Sequence, residues 1–258
     1  HILAYMFDVL MKIYESYGYT TREAVASIVE NNLYGLDIDE RAAQLAYFAV
    51  MMKARQYDRR FFNRCIQPHV YAIVESNHVD QFAVDYFCNG DAKLKAAMDT
   101  ILSELHDAKE YGSILTVTPQ DWSALYDRFA EIMEDINMSR ETALGVLLPL
   151  VQVAEVLAQK YDAVVTNPPY SGTKGLNQKL TSFLTLNYTE EKGDLFAPFV
   201  KRTNDFIKKL GYVSLVTPTS WLYNPSYASM RKKQLSIMEI SSLCLLYTSP
   251  SPRDMRRS

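Results

Sequence analysis

Apolar residues recur at three- or four-residue intervals through the first stretch of the chain. Over residues 2–17 these apolar positions are Leu3, Phe7, Leu10, Tyr14 and Tyr17. The spacing predicts a helix with one buried face, ended by Gly18. Directly afterwards, the Thr-Thr-Arg-Glu sequence at residues 20–23 forms a capping arrangement, which predicts the start of a second helix.

The next segment joins a short apolar run to an acidic end. Residues 32–39 predict a short strand, and Asp39 is placed to cap a long helix from Glu40 to about Arg55. The inner face of that helix is expected to carry Ala43, Ala46, Tyr47 and Val50. A helix–strand–helix run of this kind is typical of a doubly wound α/β sheet.

The middle of the chain is less regular and predicts a mostly helical insertion. We expect a strand at residues 70–74, helices near 79–110 and 120–159, and a short apolar piece at 113–117. We expect no apolar run to approach the roughly 20 residues that cross a bilayer. The pattern therefore predicts a cytoplasmic protein with no membrane partner.

The last third returns to strands. Residues 161–166 predict a buried parallel strand, 195–209 a helix, Gly211 a turn and 212–217 another strand. The final residues are rich in Ser, Pro and Arg without a hydrophobic period, and we interpret them as a disordered or non-native tail. The predicted segments are therefore 1–58, 59–160 (the insertion), 161–243 and 244–258 (the tail).

Composition restricts the class of protein. Hydrophobic residues make up 48% of the chain and there are only nine glycines, which excludes a disordered or low-complexity protein. Cys65, Cys88 and Cys244 have no pairing or metal-ligand spacing, and the four histidines form no paired motif. We therefore expect neither a disulfide framework nor a metal site.

Charge is distributed unevenly along the chain. The net charge is −3, yet residues 1–160 carry 14 Lys/Arg against 23 Asp/Glu, whereas residues 161–247 carry 10 against 6. The basic groups are thus concentrated in the last third. Such a distribution is as compatible with an ordinary solvated surface as with a face that contacts nucleic acid.

The sequence Asn167-Pro168-Pro169-Tyr170 directly follows the predicted strand at 161–166. Ligands of open α/β sheets bind at the carboxyl ends of strands. Two consecutive prolines cannot donate to a sheet, so the strand must end there, and they stiffen the backbone that follows. A purely structural turn after a strand is the alternative interpretation.

This turn has the groups needed to activate the exocyclic amine of adenine. The Asn167 side-chain oxygen and the Pro168 carbonyl can each accept one N–H of the amine, which localises the nitrogen lone pair. Tyr170 offers a flat ring on which the base can stack. A base inside a duplex cannot reach such a pocket, so it would have to be flipped out of the helix.

Four stretches of the sequence resemble one family. Residues 167–170 resemble the catalytic motif of amino-methyltransferases, and residues 35–46 resemble the second cofactor motif of adenine-N6 DNA methyltransferases. Residues 193–231 are similar to the segment that follows the catalytic turn in that family. The opening residues are especially similar to the type IIG restriction group and to the PglX-like methyltransferases of BREX phage defence. The resemblance extends over about residues 1–243.

The resemblance implies a fold, a cofactor and a partner. The implied fold is α/β: a Rossmann-like methyltransferase sheet with helices on both faces and a helical insertion. The implied methyl donor is S-adenosyl-L-methionine, with residues 1–58 as the cofactor-binding half and 161–243 as the catalytic half. The implied partner is double-stranded DNA, with other restriction or phage-defence subunits as further candidates.

The resemblance also assigns residues to the cofactor and to the target base. Asp37 would hold the ribose hydroxyls, with Ile38 beside the cofactor adenine, although Asp37 could instead be a second capping carboxylate. Ser113 with Ile114 is the preferred third cofactor element, and the end of the 70–74 strand is the alternative. His1 and Asp194 complete the predicted cofactor residues. Phe196 and Tyr227 are assigned to the target-base pocket, where Tyr227 could equally be a core residue.

In the family, a Gly-rich cofactor loop precedes the first helix and ends in a histidine. Only that histidine, His1, is present here, so we expect this chain alone to bind S-adenosylmethionine weakly. Two other functions stay open on sequence grounds. One is transfer of a methyl group to a protein glutamine or to RNA; the other is a non-catalytic nucleic-acid-binding module.

Overall fold

The computed structural model describes residues 1–137, 139–170, 172, 176–191 and 193–245. Internal contacts divide the chain into two units. The first unit contains His1–Val165 and Thr203–Val213, and the second contains Thr166–Arg202 and Ser214–Ser258. This division follows contacts, whereas the four segments predicted from sequence follow motifs; the predicted segments stay a prediction. Most of the predicted tail lies outside the described residues.

The first unit alternates helices with short strands. Its helices are α1 (Ile2–Ser16), α2 (Thr21–Ser27), α3 (Glu40–Tyr57), α4 (Gln81–Cys88), α5 (Ala92–Glu104), α6 (Ala108–Tyr111), α7 (Trp122–Glu134), α8 (Ser139–Thr142) and α9 (Leu148–Ala158). Its strands are β1 (Tyr34–Asp37), β2 (His69–Ala72) and most of β3 (Tyr161–Thr166) and β4 (Ile207–Leu215). The chain is therefore an α/β protein, as predicted.

Local capping fixes the helix starts that the sequence predicted. The Thr20 hydroxyl accepts the Glu23 N–H at 3.3 Å, and the Glu23 carboxylate accepts the Thr20 N–H at 3.1 Å, which completes the capping box of α2. Asp39 caps α3 by accepting the Arg41 N–H at 2.8 Å. Gly18, with φ of 82°, follows the end of α1.

Strands β1 and β2 form a parallel pair against α1 and α3. Tyr34 pairs with His69 and Asp37 with Ala72, and α3 contacts both strands. A side chain at Gly35 would put its Cβ 2.7 Å from Leu3 Cδ1, so glycine allows α1 to lie close to β1. The core beneath them is apolar: Phe7, Met11, Ala24, Val25, Ile28, Val29, Leu33, Val50, Ala54, Phe61 and Val70.

The helical middle corrects one expectation. Ser139–Ala158 is a helical stretch of 20 residues that includes α8, a π-helical turn and α9. A window within it has a mean hydropathy of 1.6, so the stretch is long and apolar enough to cross a membrane. The expectation that no apolar run approaches this length was therefore wrong, because four polar residues at its start are followed by an almost uninterrupted apolar sequence. Within the described residues, α9 packs against α5, α7 and β2, as a core helix does.

Strands β3 and β4 form a second two-stranded sheet. The predicted strand at 161–166 is confirmed, but no residue of β3 is buried, so the prediction that it is buried was wrong. That prediction assumed a wide sheet covered on both faces, whereas among the described residues β3 has only β4 as a partner. The Tyr161 ring contacts the Tyr34 ring of β1, with centroids 5.4 Å apart.

The boundary between the last long helix and β4 also differs from the prediction. The helix α11 ends at Phe206 and β4 begins at once with Ile207, so residues 207–209 are strand rather than helix. Gly211 lies within β4 instead of forming a turn, after Leu210 with a left-handed φ of 67°. Contact with β3 overrides the helical preference of this segment.

The second unit is smaller. It contains α10 (Gln178–Asn187), most of α11 (Phe196–Phe206) and α12 (Ala228–Ile237). It has an apolar core of its own. The residues of that core are Phe196, Ala197, Val200, Tyr227 and Met230, with Leu215 and Trp221 packed against it.

Candidate active site

The Asn-Pro-Pro-Tyr sequence forms a turn at the carboxyl end of β3. Thr166 ends the strand, and its carbonyl accepts the Val216 N–H at 3.2 Å. The four residues that follow have no regular secondary structure, as two prolines require. Asn167 and Pro169 are exposed while Pro168 is buried. The side chain expected to carry the chemistry is therefore on the surface and not packed in the core.

Tyr170 connects this turn to the residue after β4. Its hydroxyl lies 2.9 Å from the Asn167 side-chain oxygen and 2.9 Å from the Val216 carbonyl. The ring is 50% exposed, which leaves a face available for stacking. Val216 was not among the predicted site residues; the signal that could have found it is its position at the end of a strand adjacent to β3.

In the first unit, two predicted cofactor elements lie together. Asp37 ends β1 and is exposed, and one of its carboxylate oxygens accepts the Asp39 N–H at 2.9 Å. Ile38 is 51% exposed. A Cβ added at Gly112 would lie 3.5 Å from Ile38 Cδ1, so the short turn Gly112–Ile114 contacts the end of β1. In that turn Ser113 is half-buried and Ile114 is buried.

The alternative third element, the end of β2, is equally close to β1. The Ile73 N–H donates to the Asp37 carbonyl at 2.8 Å. Just beyond it, Asn77 and Asp107 form two hydrogen bonds: the Asn77 amide donates to the Asp107 carboxylate at 2.8 Å, and the Asp107 N–H donates to the Asn77 oxygen at 2.7 Å. This pair joins the loop after β2 to the segment that leads to Gly112.

The two remaining predicted cofactor residues lie in different units. His1 is exposed at the start of α1, where its carbonyl accepts the Tyr5 N–H at 3.1 Å. Asp194 is half-buried in the second unit, and its carboxylate accepts the Phe196 N–H at 3.4 Å at the start of α11. Asp194 therefore has a helix-capping contact in addition to its predicted role.

Phe196 and Tyr227 are both buried. Phe196 has no exposed surface and Tyr227 only 7%, and their rings contact each other with centroids 5.4 Å apart. Burial, together with the nearby Asp194 carboxylate, raises the pKa of Tyr227 above its ordinary value. The structure thus places both aromatic residues in the core of the second unit, where contact with a base would require them to be uncovered.

The segment after β4 is held by one arginine. Arg231 of α12 donates to the Trp221 carbonyl at 2.6 Å and to the Asn224 carbonyl at 2.7 Å. Trp221 donates its indole N–H to the Thr217 hydroxyl at 3.0 Å. Since Val216 precedes this segment, Arg231 fixes the chain beside the residue that Tyr170 contacts. Arg231 was not among the predicted site residues, although it ends the stretch 193–231 that resembles the family.

Two curated proteins are similar to this chain over most of its length. The relatives include the adenine-specific methyltransferase BrxX of Escherichia coli O9:H4 (strain HS), with 36% identity over an alignment of 256 residues; the match covers 90% of this chain and 21% of the relative. They also include the adenine-specific methyltransferase PglX of Lacticaseibacillus casei (strain Zhang), with 34% identity over an alignment of 242 residues; the match covers 92% of this chain and 20% of the relative. The chain thus spans about a fifth of the length of these relatives.

A family model covers β1, the Asn-Pro-Pro-Tyr turn and α12 in one match. It is the model of the Eco57I restriction-modification methylase, and it matches residues 31–249. That range includes nearly all of the site residues predicted from sequence, His1 excepted. On this match and the two relatives, the chain belongs to the Eco57I restriction-modification methylase family.

Proposed function

We propose that this protein transfers a methyl group from S-adenosyl-L-methionine to the N6 amine of a flipped adenine in double-stranded DNA. The observation that carries the proposal is the exposed Asn167 at the end of β3, beside a half-exposed Tyr170 ring. Membership in the methylase family supports the same reaction class. The names of the two relatives support adenine as the base.

The proposal includes a Rossmann-like arrangement of the sheet. The parallel β1–β2 pair, its alternation with helices, and the contact between the first residues of β1 and β3 support it. In such sheets the carboxyl ends of the strands form the ligand site. The predicted residues Asp37, Ile38, Ser113 and Ile114 all lie at or next to the carboxyl end of β1.

These residues fit the proposed cofactor. An exposed carboxylate at the end of β1 suits two vicinal hydroxyls, because an ionised carboxylate has acceptors for both. Next to it, the half-exposed Ile38 supplies an apolar contact for a purine, and Gly112 leaves the space beside Ile38 free of a side chain. When bound, the cofactor supplies a methyl group on a positively charged sulfur, which makes the methyl carbon electrophilic.

The residues of the catalytic turn act on the adenine amine. Asn167 and the Pro168 carbonyl accept its two N–H groups, which turns the nitrogen lone pair toward the methyl carbon. Neither group takes up a proton: as the nitrogen bonds the methyl carbon and the sulfur–carbon bond breaks, the nitrogen becomes cationic and then releases one proton to solvent. Tyr170 stacks on the base, an interaction worth about 1–3 kcal/mol. The two prolines stiffen the backbone of the turn, which helps to hold the Pro168 carbonyl in place during the reaction.

We also propose a biological setting: restriction-modification or phage defence in the cytoplasm, with DNA as the partner. The family description supports restriction-modification, and the names of the relatives support adenine methylation. Other subunits of such a system are further candidate partners. Phe196, Tyr227, His1 and Asp194 keep their predicted roles at the base and cofactor as parts of this proposal.

The substrate class can be tested directly. The full-length protein and radiolabelled S-adenosylmethionine are incubated in three parallel reactions. One contains duplex DNA, one structured RNA and one a glutamine-containing protein mixture. We expect label in DNA alone, recovered as N6-methyladenine after digestion and mass spectrometry. Label in RNA or protein but not DNA would assign one of the alternative methyltransferase functions. Cofactor-independent DNA binding without any label would instead support a binding module.

A further inference from the structure

The Tyr170 hydroxyl is shared between two oxygen atoms. It lies 2.9 Å from the Asn167 side-chain oxygen and 2.9 Å from the Val216 carbonyl. A phenolic hydroxyl carries a single proton, whereas both neighbouring atoms are acceptors. It can therefore donate one full hydrogen bond at a time. Whichever acceptor receives the proton, the other faces a hydroxyl lone pair.

The two positions of this proton have different consequences for Asn167. When the hydroxyl donates to Asn167, the amide oxygen is held toward Tyr170. When it donates to the Val216 carbonyl, its lone pairs face Asn167, and the amide is more stable after a half-turn that directs its NH2 group to the hydroxyl. That half-turn moves the amide oxygen to the opposite side. The hydroxyl proton and the orientation of the amide are thus coupled.

Val216 is a well-anchored member of this network. Its N–H donates to the Thr166 carbonyl at 3.2 Å, so its own carbonyl is held by the pairing at the ends of β3 and β4. Three hydrogen bonds and the Thr166–Asn167 peptide bond consequently link Thr166, Asn167, Tyr170 and Val216 in a ring. All four belong to the second unit. The Asn167 amide is the part of the ring that can present either of two different groups to a ligand.

We propose that the Tyr170 hydroxyl is a positioning group, which selects the atom of Asn167 that faces the target amine. In the productive arrangement the hydroxyl donates to the Val216 carbonyl and accepts from the Asn167 NH2 group, and the Asn167 oxygen is free to accept an N–H of the base. The proposal rests on the proposed function, and it assigns to the hydroxyl a role separate from ring stacking.

The test is a double-mutant cycle on single-turnover methyl transfer in the full-length protein, with saturating duplex DNA and cofactor. Tyr170→Phe keeps the ring and removes only the hydroxyl. We expect its rate to fall about five- to tenfold, the loss expected for one orienting hydrogen bond, with DNA affinity unchanged. In an Asn167→Asp background both oxygens are acceptors, so Tyr170→Phe should change the rate less than about twofold.

Tyr223→Phe is the matched control, because Tyr223 lies in the same unit with 72% of its surface exposed. An unchanged rate in Tyr170→Phe would overturn the proposal, as would an equal loss in both Asn167 backgrounds. If Asn167→Asp has no activity, the proposal is supported when the rate of methyl transfer falls in Tyr170→Phe but not in Tyr223→Phe. If the wild type transfers methyl groups and Tyr170→Phe does so at the same rate, the positioning role fails but the proposed function stands. If the wild type transfers no methyl group, the proposed function itself is contradicted.

Discussion

At the scale of single residues, two carboxylates two positions apart have different neighbours. Asp39 accepts the Arg41 N–H and caps α3, whereas the Asp37 carboxylate accepts the Asp39 N–H before that helix begins. The sequence Asp-Ile-Asp alone cannot separate a capping residue from a ligand residue, since both are short acceptors near a helix start. The structure assigns the cap to Asp39, which leaves Asp37 for the cofactor in our proposal.

This difference predicts separable effects of substitution. Asp37→Ala should weaken S-adenosylmethionine binding about tenfold or more, because two hydroxyl hydrogen bonds are lost. Asp39→Ala should lower the free energy of unfolding by about 1 kcal/mol and change cofactor affinity less than about twofold. Calorimetric titration and urea unfolding of both variants measure the two effects. A loss of stability without a loss of affinity in Asp37→Ala would contradict the cofactor role.

Asp8 links α1 to α3 and makes stability depend on pH. The Lys53 ammonium lies 2.6 Å from its carboxylate, and this hydrogen bond is the main cause that lowers the pKa of Asp8. A lowered pKa in the folded state adds stability above the ordinary value of about 3.9, and that stability is lost as the pH falls through the lowered pKa.

Asp8→Asn should therefore lower the free energy of unfolding at pH 7 by about 0.5–1 kcal/mol, a modest amount because the pair is partly exposed. At a pH well below 3.9 the wild type and the variant should converge. Urea unfolding at both pH values measures this. Asp162→Asn is the control, since Asp162 is 87% exposed in its pair with Lys208 and should show little effect at either pH. A constant difference between Asp8→Asn and wild type would argue against the ion pair.

At the scale of elements, Gly211 shows why β3 and β4 can lie close together. A Cβ at this position would lie 2.6 Å from Ile207 Cγ1 and 2.8 Å from the Asp162 carbonyl. The first contact involves a side chain that can shift, but the second involves backbone. Only glycine avoids both contacts without moving a strand.

Gly211→Ala should therefore destabilise the protein by about 1–3 kcal/mol, as expected for overpacking. Gly145→Ala is the matched control: nothing lies within 4 Å of the Cβ it would add, and alanine favours helix over glycine. Thermal unfolding of the two variants measures the contrast. A Gly211→Ala protein as stable as wild type would show that β4 does not approach β3 in this way.

The elements that sequence predicted well are those with local causes. The capping box at Thr20 and Glu23, the cap at Asp39 and the end of α1 at Gly18 depend on neighbours within a few residues. The start of β4 at Ile207 and the exposure of β3 depend on contacts between residues that are distant in sequence. The hydrophobic pattern of the sequence predicted neither of them. The π-helical turns at Ile28–Asn32 and Ala143–Leu147 were not predicted from the sequence.

The residues of the candidate site likewise include some that the sequence predicted and some that it did not. Asn167 and Asp37 were predicted because their residue types follow strand ends. The Val216 carbonyl was missed because a backbone acceptor has no residue-type signal, and so was the Asn77–Asp107 pair, whose members are 30 positions apart. Burial of Phe196 and Tyr227 could not be predicted from aromatic residue type, because such residues are as frequent in cores as in pockets.

At the scale of the whole molecule, each unit has its own apolar core. Phe7 belongs to the core of the first unit and Phe196 to that of the second, and neither has exposed surface. Phe7→Ala and Phe196→Ala should each cost about 3–5 kcal/mol. Because the cores are separate, hydrogen exchange should accelerate mainly in residues 1–57 for Phe7→Ala and mainly in the second unit for Phe196→Ala. Uniform acceleration in both variants would show one cooperative core.

The central claim is that the Asn167 oxygen activates an adenine amine. The most direct measurement is single-turnover methyl transfer to duplex DNA by the full-length Asn167→Ala protein, with cofactor affinity determined by calorimetry on the same preparation. We predict a fall in rate of at least about 100-fold, with cofactor affinity within about twofold of wild type. Methyl transfer by Asn167→Ala at the wild-type rate would show that the Asn167 oxygen does not activate the amine.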